Sequence, residues 1–334
     1  MLASLKKNRW SYMAAAAFLL LLVLLPTQLL ADKTSLLILI GIYTMVTLGL
    51  CLLMGYTGQV SLGQAAFFGT GAYLSAILST RYDLNPWLAM LMAAAATGVF
   101  AYLISYPIFR LRGNYLAMAT LGLGIIIWIL FRELSQYTGG PDGLTGIPNF
   151  AIGGFVFDDK LERYFLVWGF CVASLLVAQN IVGSRTGRAL RGIHGSEPAA
   201  ESIGINVAQF KMKIFVLGAV YASLAGSLYA HHAHAIGPNA FDFMASVMVI
   251  TMAAVGGLAS IWGAVFGAAT ITYISQDAIV ELGKSYPRLA SLDVVLYGLI
   301  LMLVMIFLPK GLFVSLGEAL DVWRKRLARK RAPA

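Results

Sequence analysis

The sequence predicts an all-α, polytopic membrane protein with about ten transmembrane helices in one domain, residues 1–334. Three observations carry that prediction. First, 59% of the 334 residues are hydrophobic and only 12% are charged, against about 25% charged in a soluble domain. Second, the apolar residues fall in runs close to the roughly 20 residues that a helix needs to cross the hydrocarbon core. Third, Lys and Arg collect between alternate runs, the bias that marks cytoplasmic loops.

The candidate spans are, in order, 10–30, 35–55, 62–80, 87–109, 115–131, 163–183, 213–233, 243–258, 262–280 and 291–308. The first follows Lys6, Lys7 and Arg9 and has the look of a secretory signal. Its length exceeds the roughly 7–15 residues of a signal core, so it reads as an uncleaved span. The third, eighth and ninth are short or rich in glycine and read as candidates for broken or re-entrant helices. Ten spans put both termini on one side. With both termini cytoplasmic, 17 of the 24 Lys and Arg face inward. That orientation makes 132–162 an external, periplasmic loop and 184–213 a cytoplasmic one.

The 184–213 segment is the most polar interruption of the chain. It carries Arg185, Arg188, Arg191, Lys211 and Lys213, and Glu197 to Ile205 has the composition of a short helix. A membrane protein with such a loop and no catalytic machinery of its own is expected to dock a partner there.

Several chemistries are excluded or weakened. The net charge of +9 comes largely from terminal clusters that flank spans, so nucleic acid is not an expected partner. Cys51 and Cys171 both fall inside apolar runs, which argues against a disulfide framework or a zinc site. His231, His232 and His234 cluster without neighbouring Cys, and a span terminus explains them better than a metal. No GxxxxGK phosphate loop, HExxH or GxSxG motif occurs, so no ATP site or hydrolase signature is found. The span centres hold almost no Asp, Glu, Lys or Arg. An ion-coupled secondary carrier usually needs such a group. The energy for transport is therefore expected to enter elsewhere.

Two glycine-rich breaks stand out. The first runs through Gly55, Tyr56, Gly58, Gln59, Ser61, Gly63 and Gln64; the second holds Gly256 and Gly257. Two readings of these glycines stand. Glycine allows helices to pack closely. It also allows a helix to break where backbone and polar side chains face a substrate path, provided protein or water covers the break. Two interrupted segments in corresponding positions suggest an internal inverted repeat.

Five blocks then resemble a known family in order and spacing: GYTGQVSLGQAAFFGTGAY, RLRGNYLAMATLGLG, TGGPDGLTGIP, RTGRALRGIHGSEPAAESIGIN and AAVGGLASIWGAVFGA. They resemble the LivM-type permeases of branched-chain amino acid ABC importers, from about Gly41 to Gly311. The resemblance implies a non-enzymatic permease subunit in a bacterial inner membrane. It implies a second related permease, two ATP-binding subunits carrying ATP and Mg, and a periplasmic substrate-binding protein as partners. It implies that 184–213 is the coupling loop. There Glu197, Ala199, Ala200, Glu201 and Gly204 form a divergent version of the signature that docks on the ATPase, with Pro198 interrupting it. Importers of urea and amides use similar permeases, so the substrate stays open within small polar solutes.

Overall fold

The computed structural model describes residues 33–111 and 113–278, with isolated positions at 26, 298, 299, 302, 303, 306 and 311. The expected spans 10–30 and 291–308 lie outside the continuous described residues. The remainder is helical, with two short ladders of paired strands.

Helix α1 (Thr34–Leu50) continues through a wide π turn at Cys51–Gly55. Apolar residues surround it on all sides, which suits a helix that is buried all round. Indeed 83% of its apolar window is buried. Helix α2 (Gln64–Arg81) follows an extended stretch, and α3 (Pro86–Ile108) starts where Asn85 accepts from the Trp87 N–H and Pro86 occupies the first turn. Helix α4 (Asn114–Glu133) is only 22% buried and presents Tyr115, Met118, Ile126 and Leu130 outward. Helix α5 (Lys160–Gly183) starts further out than the sequence suggested. Asp159 and Glu162 form a reciprocal capping box that satisfies the free N–H groups of its first turn.

Helices α6 (Arg185–Gly195) and α7 (Glu197–Ser202) fill the 184–213 segment. Helix α8 (Val207–Ala233) begins well before the expected start at 213. The sequence alone places Lys211 in the polar loop ahead of that span. It is instead buried within the helix, where a carboxylate pairs with it. Helices α9 (Phe243–Gly256) and α10 (Ile261–Tyr273) complete the described bundle, with a further π turn at Ile274–Ala278.

Three helices, α1, α2 and α8, make the core, and small residues let them touch. A Cβ on Gly226 would lie 2.0 Å from the Phe68 carbonyl oxygen. One on Gly71 would lie 2.3 Å from the backbone of Ser223. Such approaches allow backbone-level packing, the usual basis of helix association in lipid.

The distal end of the bundle carries the 134–159 loop. Strand β1 (Leu144–Thr145) pairs antiparallel with β4 (Ala235–Ile236), while β2 (Ala151–Ile152) and β3 (Phe155–Val156) form a hairpin. The histidines of α8 fasten this loop. His231 Nδ1 donates to the Pro148 carbonyl at 2.6 Å, which fixes the proton there, so Nε2 accepts from the Ser75 hydroxyl at 2.9 Å. His234, left-handed at φ 57°, donates from Nδ1 to the Ile147 carbonyl and accepts from Arg163 Nη1, each at 2.9 Å. Among the described residues, no group of three or more His, Cys, Asp or Glu is arranged to hold a metal ion.

Candidate functional site

The opposite, proximal end brings the first glycine-rich break against the 184–213 segment. The path of the chain explains why. After Gly55 helix α1 ends, and Gly58 takes the left-handed φ of 71° that turns the backbone. Residues 58–63 then run without helix back into the bundle, and α2 starts at Gln64. Gln64 Nε2 donates to the carbonyls of Val46 (3.5 Å) and Gly218 (3.1 Å). Val46 lies roughly 14 Å inward of Gly55 along α1 at 1.5 Å per residue. The break therefore spans from the proximal surface to a point well inside the apolar layer.

Its surface end meets α6 and α7. Gln59 Nε2 donates to Glu197 Oε1 at 3.1 Å and to the Thr57 carbonyl at 3.3 Å. Lys211 Nζ stands 2.6 Å from the same Glu197 oxygen. Gly58 sits under His194, whose Nδ1 would be 3.1 Å from an added Cβ. Burial raises the Tyr56 phenol above its ordinary value, the Cys51 thiol adds to the rise, and Arg191 works against it.

The 184–213 segment is built to hold this position. Ser184 caps α6, and Ser196 caps α7 by accepting from the Ala199 N–H. Pro198 falls in the first turn of α7, where its missing N–H costs no helical bond. Ala200 packs with Ile193 and Val207 in a small core of its own. Ala199 and Glu201 face outward. Gly204 has φ 84°, its N–H reaches the Glu201 carbonyl, and the Ile205 N–H reaches Ala200. That pair of bonds closes α7 with the glycine turn common at helix ends.

The inner end of the break borders a cleft. The Leu62 N–H donates to Thr120 Oγ1 at 3.0 Å, and the Ala65 N–H to Ser246 Oγ at 3.1 Å. The first turns of α2 and α9 thus face one another, with a narrow cleft of about 10 Å³ between them, room for about one water, lined by Leu62, Ala65, Gly124, Ile125, Asp242 and Ser246. Asp242 caps α9 by accepting from the Ala245 N–H. Asp242, Ser246 and Thr120 are not among the site residues that the sequence predicts. The available signal was an Asp three residues before the Ala245-Ser246 pair, heading an apolar run too short to span.

The predicted site residues therefore divide. Tyr56, Gly58 and Gln59 meet the 184–213 segment, while Gly63 and Gln64 turn inward. Gln59 and Gln64 are buried and hydrogen-bonded; the buried Ser61 hydroxyl has no partner among the described residues. Gly256 and Gly257 lie elsewhere in character. A Cβ on Gly256 would sit 1.9 Å from the Gly263 carbonyl oxygen. The two breaks touch where Gly55 packs on the Leu258 carbonyl.

Comparison with known proteins agrees with a transport role. The family model for the permease component of branched-chain amino acid transport systems matches residues 34–305. The chain is 29% identical over 294 residues to the high-affinity branched-chain amino acid transport system permease protein LivM of Salmonella typhimurium, covering 81% of this chain and 67% of that one. It is likewise 29% identical to LivM of Escherichia coli, over 89% of this chain and 73% of that one. To the permease protein LivH of Salmonella typhimurium it is 24% identical, over 81% and 90% of the two chains.

Proposed function

The chain belongs to the family of permease components of branched-chain amino acid transport systems, and we propose from that premise how it works within such a system. It is a multi-pass membrane subunit rather than an enzyme, and it acts with another permease and with ABC transporter components. In our reading those components are one related permease, two ATP-binding subunits that hold ATP and Mg, and a periplasmic binding protein. The membrane is the bacterial inner membrane, with both termini and the 184–213 segment cytoplasmic and 132–162 periplasmic. The substrates are branched-chain amino acids or closely related small polar solutes.

The ATPase docks on α7, through Glu201 and the turn at Gly204. The 55–64 break shapes the substrate path at its inner end, where the cleft between the starts of α2 and α9 lies beside the exposed face of α4. A second permease packed on that face would close the cleft into a path. One observation carries this reading: a single stretch of chain, 55–64, touches the docking segment at one end through Gln59 and borders the cleft at the other through Leu62. ATP-driven motion at the surface then opens the cleft to each side in turn.

The test uses vesicles. With the partner permease, ATPases and binding protein present, ATP should drive leucine accumulation. Vesicles holding this chain alone should neither hydrolyse ATP nor concentrate leucine. Robust uptake by the chain alone would overturn the reading in favour of a self-sufficient carrier.

A further inference from the structure

We propose that Lys211, Glu197 and Gln59 form a polar relay that transmits movement of α7 to the 55–64 segment, with Lys211 and Gln59 as positioning residues for the transport step. This rests on the reading of α7 as the ATPase docking site and names the contact that carries its motion inward.

Three separate elements converge on one carboxylate oxygen. Glu197 Oε1 accepts from Gln59 Nε2 at 3.1 Å and faces Lys211 Nζ at 2.6 Å. Glu197 opens α7, Lys211 lies in the second turn of α8, and Gln59 lies in the break. The two partners of the ion pair differ in burial. The Glu197 side chain is 33% exposed, while that of Lys211 is 7% exposed. A surface ion pair contributes little and is readily exchanged for water. A buried ammonium is different, because withdrawal of its carboxylate leaves an uncompensated charge in apolar surroundings. Movement of α7 away from α8 is therefore opposed, and the two move together.

Gln59 adds the third link. Its Nε2 also donates to the Thr57 carbonyl, so the side chain is held from both sides. The stretch that follows is fixed by donors at both Leu62 and Ala65, which bond Thr120 and Ser246. A displacement of Glu197 is thus passed along a tethered segment to the cleft between α2 and α9. The pattern also explains a lysine placed inside a transmembrane helix, where a charge needs a partner or a function.

The experiment uses the complete reconstituted importer and measures leucine transported per ATP hydrolysed. The informative variant is the pair Lys211→Met with Glu197→Leu, which also removes the oxygen that accepts from Gln59. Methionine keeps the apolar stem, and removing both charges together leaves none buried without a partner, so the fold persists. A Ser202→Cys reporter crosslinked to the ATPase monitors docking separately. With the crosslink intact, the double variant should transport about tenfold less leucine per ATP, within the range of ordinary allosteric coupling. Lys211→Met alone, which strands only the partly exposed Glu197, should lose about as much as the double, because the groups act as one unit. A wild-type ratio with the crosslink intact would overturn the relay and leave docking standing. Failure of the variant complex to assemble would also overturn it, since the pair would then build the docking surface rather than transmit from it. Absence of the Ser202 crosslink in the otherwise unaltered importer would instead sink the docking reading.

Discussion

The two glycine-rich breaks look alike in sequence and do different work in the structure. The first, 55–64, mixes its glycines with Gln59, Ser61 and Gln64, and the side chains of Gln59 and Gln64 reach residues far away in the chain, Glu197 and Gly218. The second, 256–263, is a backbone joint. Gly256 and Gly263 lie against each other, and Gly267 lies on the Met252 carbonyl, so that α9 and α10 meet backbone to backbone at these glycines. Glycine alone therefore does not mark a site in a membrane protein. Glycine accompanied by buried polar side chains that reach distant elements does.

That contrast is open to attack at several points. The largest effect is expected at Gly256. Leucine there has no space, because its Cβ already falls 1.9 Å from a carbonyl oxygen. The α9–α10 joint must open, at a cost of more than about 4 kcal/mol. Gly256→Leu should abolish accumulation of folded protein, read by detergent-solubilised yield and size-exclusion profile. A normal profile would show that the second break is looser than described.

A smaller structural effect, with a larger functional one, is expected at Gly204. An added Cβ meets nothing within 4 Å there, but φ is 84°. Gly204→Leu should cost about 1–2 kcal/mol of backbone strain. The protein should still assemble while ATP hydrolysis separates from leucine transport. Unchanged coupling with normal assembly would remove Gly204 from the docking turn.

The smallest effect belongs to Gln64. Its amide donates to two helix carbonyls that already serve the helices. Replacement by Leu removes donor and need together, so Gln64→Leu should lower stability by only about 1 kcal/mol, measured as a shift in the thermal unfolding midpoint. A loss of several kcal/mol would place Gln64 in the packing core with Gly256.

Much of the architecture was legible from the sequence, for a physical reason. The cost of burying polar groups in lipid forces apolar runs of fixed length, and these locate α1, α3, α4 and α5 closely. The start of α8 was not legible. Lys211 looks like a boundary until its partner Glu197 is known, and that pairing is set by the fold. The link between Gln59 and Glu197 was hidden for the same reason, since the two residues are 138 positions apart. Both segments were singled out from their composition, but nothing local to either showed that they meet. The cleft was least visible. Asp242 reads as a turn residue, and Thr120 and Ser246 as small polar residues inside apolar helices.

The central claim is that 55–64 moves with the ATPase cycle while the second break stays closed. It is tested most directly by thiol labelling of single cysteines at Ser61 and at Val255, in a background lacking Cys51 and Cys171. Both positions are buried, at 1% exposure each. The reconstituted importer is labelled with a small water-soluble reagent without nucleotide, with ATP, and with ATP trapped by vanadate. Ser61→Cys should change its labelling rate by about tenfold or more between states, in line with a coupling of ordinary size, and Val255→Cys should stay unreactive in all of them. Equal rates at Ser61 in every state, with transport intact, or state-dependent labelling at Val255 would contradict the account.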